Sequence, residues 1–336
     1  MKPTNFAMYL TKFITNYLTF QKNFSQNTIT SYKDTFKLLL IYCRDIENIN
    51  PEKIDLDHLT KDLIIRFLNW IEVERGCSIS TRNQRLAALK SFFKYVQIEE
   101  PAGIFNYQKI LSITNKKSIK KVIEYITPGA MQLLLSMPDK SNYKGRRHLA
   151  IMSLLYDTGA RVQELIGITM RDIRTQSPAV VTLRGKGNKN RQVPLMINTV
   201  SILRYYISEN KLDDNRKSDY PLFTNSQNRK LTKEGVAYII NKYVNQATKK
   251  SNIIPSKVTP HMFRHSKAMH LLEAGVNSIY IRDFLGHTDL KTTEIYAKSN
   301  LEMKRKAIEK AFPDIINSDL PDWNKDTSLI SWLSNL

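Results

Sequence analysis

Apolar residues repeat at helical spacing through most of this 336-residue chain, and this repeat limits its possible folds more than any other feature. Stripes of this kind in the first hundred residues predict four helices, which begin near residues 6, 25, 60 and 78. Further helices are expected from Pro128 and at about 146–157, 161–168, 198–209, 232–249, 260–273, 277–285 and 301–311. The stretch 179–195, AVVTLRGKGNKNRQVPL, instead suits two short strands around a Gly-Lys-Gly-Asn turn. The expected fold class is therefore mainly α with a small β-hairpin or sheet (α+β).

A polar, basic stretch divides the chain into two parts. Pro101 and Gly103 stop the fourth helix, and the run NKKSIKK follows at residues 115–121. A chain of this length also suits two domains, since each part is long enough to bury its own core. The expected organisation is an N-terminal helical domain, a basic linker, a second domain and a C-terminal tail, at residues 1–105, 106–122, 123–312 and 313–336 respectively.

Positive charge is concentrated in one part of the sequence. The chain has a formal net charge of +20 and a pI of about 9.7. Residues 116–312 contain 35 Lys and Arg against 16 Asp and Glu, whereas residues 1–115 contain 15 against 11. A cationic surface can serve solvation alone, but an excess concentrated in one segment favours a polyanionic partner such as nucleic acid.

Composition excludes several other classes of protein. Cys43 and Cys77 could form one bridge, but they do not make a disulfide framework or a cysteine-based zinc site. The N-terminal segment is amphipathic without the apolar run of a signal peptide, and no stretch of 18 apolar residues occurs. We therefore expect a soluble protein with no membrane partner, cytoplasmic and associated with the nucleoid.

The segment 261–298, HMFRHSKAMHLLEAGVNSIYIRDFLGHTDLKTTEIYAK, contains residue types suited to a reaction at a phosphodiester. Such a reaction needs fixed cations on the non-bridging oxygens, a nucleophile in line and an acid for the leaving oxygen. Arginine binds phosphate through two parallel hydrogen bonds and stays charged at any working pH. A tyrosine nucleophile would keep the bond energy in a phosphotyrosine link, so rejoining would need no ATP, metal or cofactor.

Two candidates for this chemistry precede that segment, and each has a plainer explanation when taken alone. Arg161 follows Gly159 at a predicted helix start, where it could simply pair with Glu164 on the surface. Lys186 lies at the tip of the predicted hairpin, where a lysine often serves solubility only. Lys189 lies in the same turn, and spacing alone does not choose between the two lysines.

The other candidates lie within the segment itself. His261 and Arg264 share one helix face, whereas His287 could cap a turn and Tyr296 could be a core tyrosine. His261 and His265 have the spacing of a helical metal pair, but the glutamate of an HExxH site is missing. Because Arg264 between them would repel Zn²⁺, no metal site is predicted. The phosphodiester hypothesis requires Arg264 and the upstream arginine to meet at one site.

Five motifs in order resemble the tyrosine recombinase (phage integrase) family, especially its Xer-like members. They are TGARVQEL, GKGNKNRQVPL, HMFRH, LGH and TTEIYA, and their candidate residues span 161–296. The upstream stretches SQNTITSYKDTFKLLLIYC and STRNQRLAALKSFFKYV resemble the helical core-binding domain of that family. The resemblance covers nearly the whole chain. It implies an N-terminal SAM-like core-binding domain and a C-terminal tyrosine-recombinase catalytic domain.

The resemblance also implies a role for each matching residue that surrounds the phosphate. Arg161 and Arg264 would clamp the scissile phosphate. His261 and His287 would bond the phosphate and assist proton transfer. Glu164 would orient these groups without touching the phosphate itself.

Cleavage would involve two further residues. Tyr296 would attack the phosphate to give a 3′-phosphotyrosyl link, and Lys186 would protonate the 5′ oxygen of the leaving strand. The implied enzyme is a site-specific DNA recombinase or integrase, and the wording of its last motifs favours a mobile genetic element. Type IB topoisomerase activity, Xer-type resolution of chromosome or plasmid dimers, and non-catalytic DNA binding remain as alternatives.

The same resemblance implies particular partners. The expected substrate is double-stranded DNA with inverted half-sites, bound by a homotetramer on two duplexes. The tail ends in SLISWLSNL, which could dock on a neighbouring protomer or pack on its own domain. A basic face on the fourth helix, with Lys189 in the hairpin, predicts further DNA contacts by Arg82, Arg85, Lys90 and Lys94.

Overall fold

A computed structural model describes residues 3–118, 124–185 and 189–286 of the chain. The chain divides into two compact units, Met1–Lys121 and Val122–Leu336. The first is called the N-terminal unit and the second the C-terminal unit. Within the described residues, no helix is long and apolar enough to cross a membrane.

Helices make up most of the N-terminal unit. They are α1 (Asn5–Lys12) with a π-helical continuation (Phe13–Gln21), α2 (Gln26–Asp45), α3 (Lys61–Val73), α4 (Ile79–Glu99) and α5 (Ile104–Leu111). The side chains of Thr4, Thr60 and Ser78 each accept a backbone N–H from the first turn of α1, α3 and α4 respectively. The four helices predicted for the first hundred residues are confirmed.

An aromatic cluster fixes how these helices pack. Phe92 of α4 lies in edge contact with Phe6, Phe13 and Phe36, at ring-centroid distances of 5.2–5.8 Å. All four rings are buried, and they come from α1, its π-helical continuation, α2 and α4. Because each such pair contributes about 0.5–1.5 kcal/mol beyond the area it buries, the cluster favours one arrangement of the bundle.

The fifth helix corrects the predicted linker at 106–122. Pro101 and Gly103 end α4 but form only one 3₁₀ turn before α5 begins. Tyr107 and Ile110 of α5 are buried in the N-terminal core. Further along, the backbone of Lys116 exchanges two hydrogen bonds with the Asn83 side chain, at 2.8 and 3.1 Å. The chain therefore stays attached to the N-terminal unit well beyond residue 106.

The C-terminal unit combines helices with a small sheet. Its helices are α6 (Pro128–Ser136), α7 (Tyr143–Thr158), α8 (Val162–Gly167), α9 (Ile197–Glu209), α10 (Lys233–Thr248), α11 (Pro260–Glu273) and α12 (Ser278–Leu285). Buried residues occur all round α7, because α6, α9 and α11 pack against it. The predicted helix at 301–311 and the tail at 313–336 lie outside the described residues.

The predicted hairpin forms two strands of an antiparallel sheet. Strands β2 (Val180–Arg184) and β3 (Asn190–Pro194) pair with Val181 opposite Val193, and the short β1 (Ile173–Arg174) pairs with β2 on its other side. Val181, Leu183 and Val193 are buried in the core of the unit. The predicted fold class, mainly α with a small β-sheet, is confirmed.

Candidate active site

A tight turn between α7 and α8 places Arg161 at the start of α8. Gly159 ends α7 in the left-handed region, with φ 56°. A Cβ at Gly159 would lie 2.8 Å from a methyl carbon of Leu285, so the turn also requires the absence of a side chain. The Arg161 side chain is 43% exposed, which leaves part of its guanidinium open to an incoming group.

Glu164 is the buried centre of the hydrogen bonds around Arg161. Its side chain is 3% exposed and accepts the backbone N–H of Arg161 at 2.8 Å, as an N3 glutamate does in a capping box. The Arg161 guanidinium donates to the same carboxylate at 2.9 Å. Burial alone would raise the pKa of Glu164, but bonds from Arg191 and Arg161 lower it below its ordinary value, so the carboxylate stays charged.

Arg191 of β3 is a site residue that sequence reasoning missed. Its Nη1 and Nη2 atoms donate to the two oxygens of Glu164 at 2.9 and 2.8 Å. Its Nε atom donates to the Phe284 carbonyl near the end of α12, at 3.0 Å. A signal was present, since Arg191 lies two positions before apolar Val193 and therefore on the same, covered face of its strand.

Arg264 of α11 approaches the same turn from the other side. The residue is 1% exposed, and its guanidinium donates to the carbonyls of Gly159 at 2.8 Å and Leu285 at 2.5 Å. The Gly159 carbonyl lies two residues before Arg161. Arg264 therefore holds the turn that leads into Arg161. Joint binding of one phosphate by the two arginines stays a prediction.

His261 lies one helical turn before Arg264 and belongs to the same site. Although His261 is exposed, the protein atoms around its imidazole lower its pKa, and the nearby Arg264 and Arg161 lower it further. His265 packs edge-on against it, with ring centroids 4.3 Å apart. The pKa of His265 is lowered to about 4 by burial, by His261 and by Arg264. Both imidazoles are therefore neutral at pH 7.

The remaining predicted catalytic residues, Lys186, His287 and Tyr296, lie outside the described residues. Their described neighbours lie beside the same network. Gly185 precedes Lys186, and a Cβ built on it would lie 3.6 Å from Glu164 Oε1. Gly286 precedes His287 with φ 63°, and a Cβ there would lie 3.0 Å from Arg191 Cδ.

No metal centre is found in the part of the chain that the structure describes, since no three His, Cys, Asp or Glu side chains group together there. His270, the remaining histidine of α11, has other partners. Its ring nitrogens bond the Tyr156 hydroxyl and the Ile126 carbonyl, both at 2.8 Å. It therefore ties the segment before α6 to α7 and α11.

The predicted basic face of α4 is only partly available to DNA. Arg82 is buried, with a side chain 5% exposed and its Nε 3.3 Å from a Glu72 oxygen, so it does not belong to an open basic face as predicted. Arg85 is half-buried and donates to the Thr35 hydroxyl at 3.3 Å. Lys90 is half-buried, and burial and nearby Lys94 lower its pKa. Lys94 itself is exposed, as is Lys189 in the hairpin.

Comparison with family models identifies both units. The model described as Phage integrase family matches residues 124–303, and the one described as Phage integrase, N-terminal SAM-like domain matches residues 11–100. The chain belongs to the phage integrase family. The resemblance inferred from the five motifs is confirmed.

Curated relatives of the integrase match the chain over most of its length. It is 32% identical over 336 residues to the putative integrase/recombinase y4rC of Sinorhizobium fredii. The alignment covers 100% of this chain and 99% of that relative. It is 28% identical to tyrosine recombinase XerC of Thermodesulfovibrio yellowstonii, covering 92% and 98% of the two chains. The chain is therefore a tyrosine recombinase, and the enzyme class predicted from the sequence is confirmed.

Solved structures share the fold at lower identity. The Tn1549 transposon integrase, in complex with circular intermediate DNA, matches with a TM-score of 0.69 and 18% identity, over 92% of this chain and 100% of that chain. The XerH site-specific recombinase bound to difH matches with a TM-score of 0.67 and 21% identity, over 86% and 81%. These likenesses show that the integrase has the recombinase fold.

Proposed function

We propose that this integrase cuts and rejoins DNA through a 3′-phosphotyrosyl intermediate formed by Tyr296. In the cleavage step, the tyrosine oxygen bonds the scissile phosphorus and the bond from phosphorus to the 5′ oxygen breaks. Lys186 gives a proton to the departing 5′ oxygen. The free 5′ hydroxyl of another strand then reverses these steps, so the energy of the broken bond is retained in the covalent link.

His261 is suited to act as the base in this step. Because the pKa of His261 is lowered, its imidazole is neutral at pH 7 and can accept the phenol proton of Tyr296. Arg161 and Arg264 would offset the charge that develops on the non-bridging oxygens. Binding of the phosphate would in turn raise the pKa of His261, which favours its protonated form after the transfer.

One observation supports the proposal: Arg264 holds the turn that leads into Arg161, and both arginines lie near His261. The Gly159 carbonyl accepts a hydrogen bond from Arg264 at 2.8 Å, and both guanidiniums act on the pKa of His261. An exposed arginine beside a neutral histidine is suited to a phosphate, because its guanidinium can donate two parallel hydrogen bonds to it, and the buried charge of Arg264 adds to the positive potential there. A purely structural role would not require the solvent exposure of Arg161.

The direct test is covalent capture on a nicked suicide substrate, from which the cleaved fragment diffuses away. The wild-type chain should form a protein–DNA adduct that survives denaturation, and Tyr296→Phe should form none while binding DNA with affinity within about threefold of wild type. Tyr280→Phe is a matched control, because Tyr280 is an exposed tyrosine of α12 that has no proposed role. An adduct that persists in the Tyr296 variant would assign the nucleophile elsewhere.

The proposal includes the form of the substrate and the assembly. We infer that the integrase binds inverted half-sites of double-stranded DNA and forms a tetramer on two duplexes. Its net charge of +20, concentrated in residues 116–312, supports binding to a polyanion. Light scattering with one half-site, a full site and two full sites should show one, two and four protein chains per complex respectively.

A mobile element is the proposed biological context. The y4rC relative, which covers the whole chain at 32% identity, bears the name putative integrase/recombinase, and this supports the proposal. Capture of genomic fragments on the wild-type protein and sequencing of the linked DNA should return the ends of a mobile element. Recovery of a single site near the replication terminus would instead indicate dimer resolution. Repeated relaxation of plasmids that lack any captured site would indicate a topoisomerase.

A further inference from the structure

Arg191 makes three hydrogen bonds that all point into the protein. Two parallel bonds join its guanidinium to both oxygens of Glu164, and its Nε atom donates to the Phe284 carbonyl. The side chain is only 12% exposed. All three donors that bond within the protein are directed at Glu164 and Phe284, so Arg191 is suited to hold Glu164 in place.

Glu164 is saturated by this arrangement. Its Oε1 atom accepts from the guanidiniums of Arg161 and Arg191, and its Oε2 atom accepts from the Arg161 backbone and from Arg191. A carboxylate offers about four acceptor positions, and here all four are used. The carboxylate cannot rotate without losing several charge-assisted bonds at once, so the orientation of Arg161 depends on that of Arg191.

We propose that Arg191 is a positioning residue that holds Glu164, and through it Arg161, in the orientation needed to bind the scissile phosphate. The inference rests on the function proposed above. The Phe284 carbonyl near the end of α12 accepts a hydrogen bond from the Nε atom of Arg191, and a Cβ on Gly286 would lie only 3.0 Å from its Cδ atom. Arg191 therefore links β3, α12 and the start of α8 through one rigid planar group.

Replacement of Arg191 by lysine is the substitution that tests this role. It keeps the positive charge beside Glu164, but one ammonium cannot donate two parallel bonds to a carboxylate and a third to the Phe284 carbonyl. Glu164 could then turn, and Arg161 would lose its fixed anchor. We expect Arg191→Lys to lower the single-turnover cleavage rate at saturating DNA by about 10²-fold, the loss typical of one misplaced donor. DNA affinity should change by less than about threefold.

The matched control is Arg146→Lys. Arg146 of α7 likewise binds a glutamate with two nitrogen atoms, the half-buried Glu209, and donates to backbone carbonyls at 2.7 and 3.0 Å. It lies in the same unit but contacts none of the site residues described above. The control should lose a similar amount of thermal stability and keep its cleavage rate within about threefold of wild type.

A neutral substrate separates positioning from general stability. A methylphosphonate at the scissile position lacks the charge that Arg161 is proposed to bind. The defect of Arg191→Lys, measured against wild type on the same substrate, should therefore shrink at least tenfold on the methylphosphonate. Glu164→Gln should show the same pattern, and the double variant should be no slower than the slower single variant, because both changes act through Arg161.

Each outcome decides the inference. A lysine variant that cleaves at the wild-type rate, or a defect of equal size on both substrates, would overturn it. If Arg191→Lys fails to fold, Glu164→Gln decides through the same comparison of substrates. Failure of the wild-type chain to form any adduct would reject the proposed function rather than the role of Arg191.

Discussion

One glutamate in each unit holds two cations, and the pairs differ in what they leave available. In the N-terminal unit, Glu72 binds buried Arg82 and the exposed ammonium of Lys116. In the C-terminal unit, Glu164 binds Arg191 and the partly exposed Arg161. Formal charge is similar in the two clusters, so the number of basic residues does not show which of them can meet a phosphate.

The partners of each glutamate show that the two clusters have different structural roles. Glu72 of α3 binds Lys116, so it attaches the chain segment that follows α5 to the helices of the N-terminal unit. Glu164 instead accepts from the backbone of the residue it orients, and its position beside the Gly159 turn leaves that residue facing solvent. The same ion-pair chemistry holds a chain segment in one unit and directs a side chain in the other.

Truncation of the two glutamates should give the largest difference between the units. Glu164→Ala removes the anchor of Arg161, and we expect cleavage to fall by at least about 10²-fold. Glu72→Ala should leave the cleavage rate of bound protein within about threefold of wild type. Each variant leaves a largely buried guanidinium without its carboxylate, so both should lose roughly 2–4 kcal/mol of unfolding free energy.

Single-turnover cleavage at saturating DNA, together with urea unfolding of the whole chain, checks this prediction. Equal loss of cleavage in both variants would show that the C-terminal cluster has no special relation to the reaction. Equal and small losses of stability would show that neither guanidinium depends on its carboxylate.

Two glycines of positive φ sharpen the comparison. Gly76, which follows α3, has φ 60° and no atom within 4 Å of the position that a Cβ would take, whereas Gly159 has φ 56° and would place a Cβ 2.8 Å from Leu285. Alanine at Gly76 should cost only the left-handed strain, about 1 kcal/mol. Alanine at Gly159 should cost about 2–3 kcal/mol, because Leu285 must also move.

The Gly159 variant should also lose cleavage activity, because the carbonyls of Gly159 and Leu285 both hold Arg264. Thermal unfolding and adduct formation measured on the two alanine variants test the point. Similar melting temperatures and similar activities of the two variants would mean that the close approach of Leu285 to Gly159 affects neither stability nor cleavage.

Acid should weaken the C-terminal unit more than the N-terminal one. Burial, with Arg147, Lys242 and Lys144 nearby, lowers the pKa of His148 to about 4, while an unfolded histidine titrates near pH 6.5. Between these values the unfolded chain binds a proton that the folded chain does not, so stability falls as pH drops from 6.5 to 4. The loss from His148 alone should reach roughly 2 kcal/mol at pH 5.

Calorimetry of the whole chain at pH 7 and pH 5 measures this loss. The Tyr243 hydroxyl lies 2.9 Å from His148 Nδ1. His148→Asn keeps a polar group near that hydroxyl and removes the imidazole that titrates. The variant should be less stable than wild type at pH 7 but should lose less on acidification. His58→Asn, at an exposed histidine of the N-terminal unit, controls for the replacement of a histidine as such.

Local sequence signals predicted the helices and the hairpin well. The helix predicted at 260–273 has those bounds in the structure, because Thr259 accepts the Met262 N–H and Pro260 suits the first helical position. The helical spacing of Tyr107 and Ile110 was also present in the sequence. Pro101 and Gly103 are typical of a domain end, but in the structure they form only a single 3₁₀ turn.

Partners distant in sequence were harder to foresee. Arg191 meets a glutamate 27 residues away and a carbonyl 93 residues away, and these separations are fixed by tertiary packing rather than by local spacing. Arg82 was assigned to an open basic face for the same reason, since its pairing with Glu72 depends on how α3 packs against α4. The resemblance to a family identified Arg161 and Arg264 because it carries such long-range information.

The smallest predicted effect separates two basic residues of α4. Lys94 is exposed and Arg82 is buried, so only Lys94 can release counterions by meeting a DNA phosphate. Lys94→Gln should reduce the slope of log affinity against log salt by about 1 and weaken binding several-fold at low salt. Arg82→Gln should leave the slope unchanged, although it lowers the stability of the N-terminal unit. Fluorescence anisotropy over a range of salt concentrations measures both slopes, and equal changes would mean that the buried arginine becomes available when DNA binds.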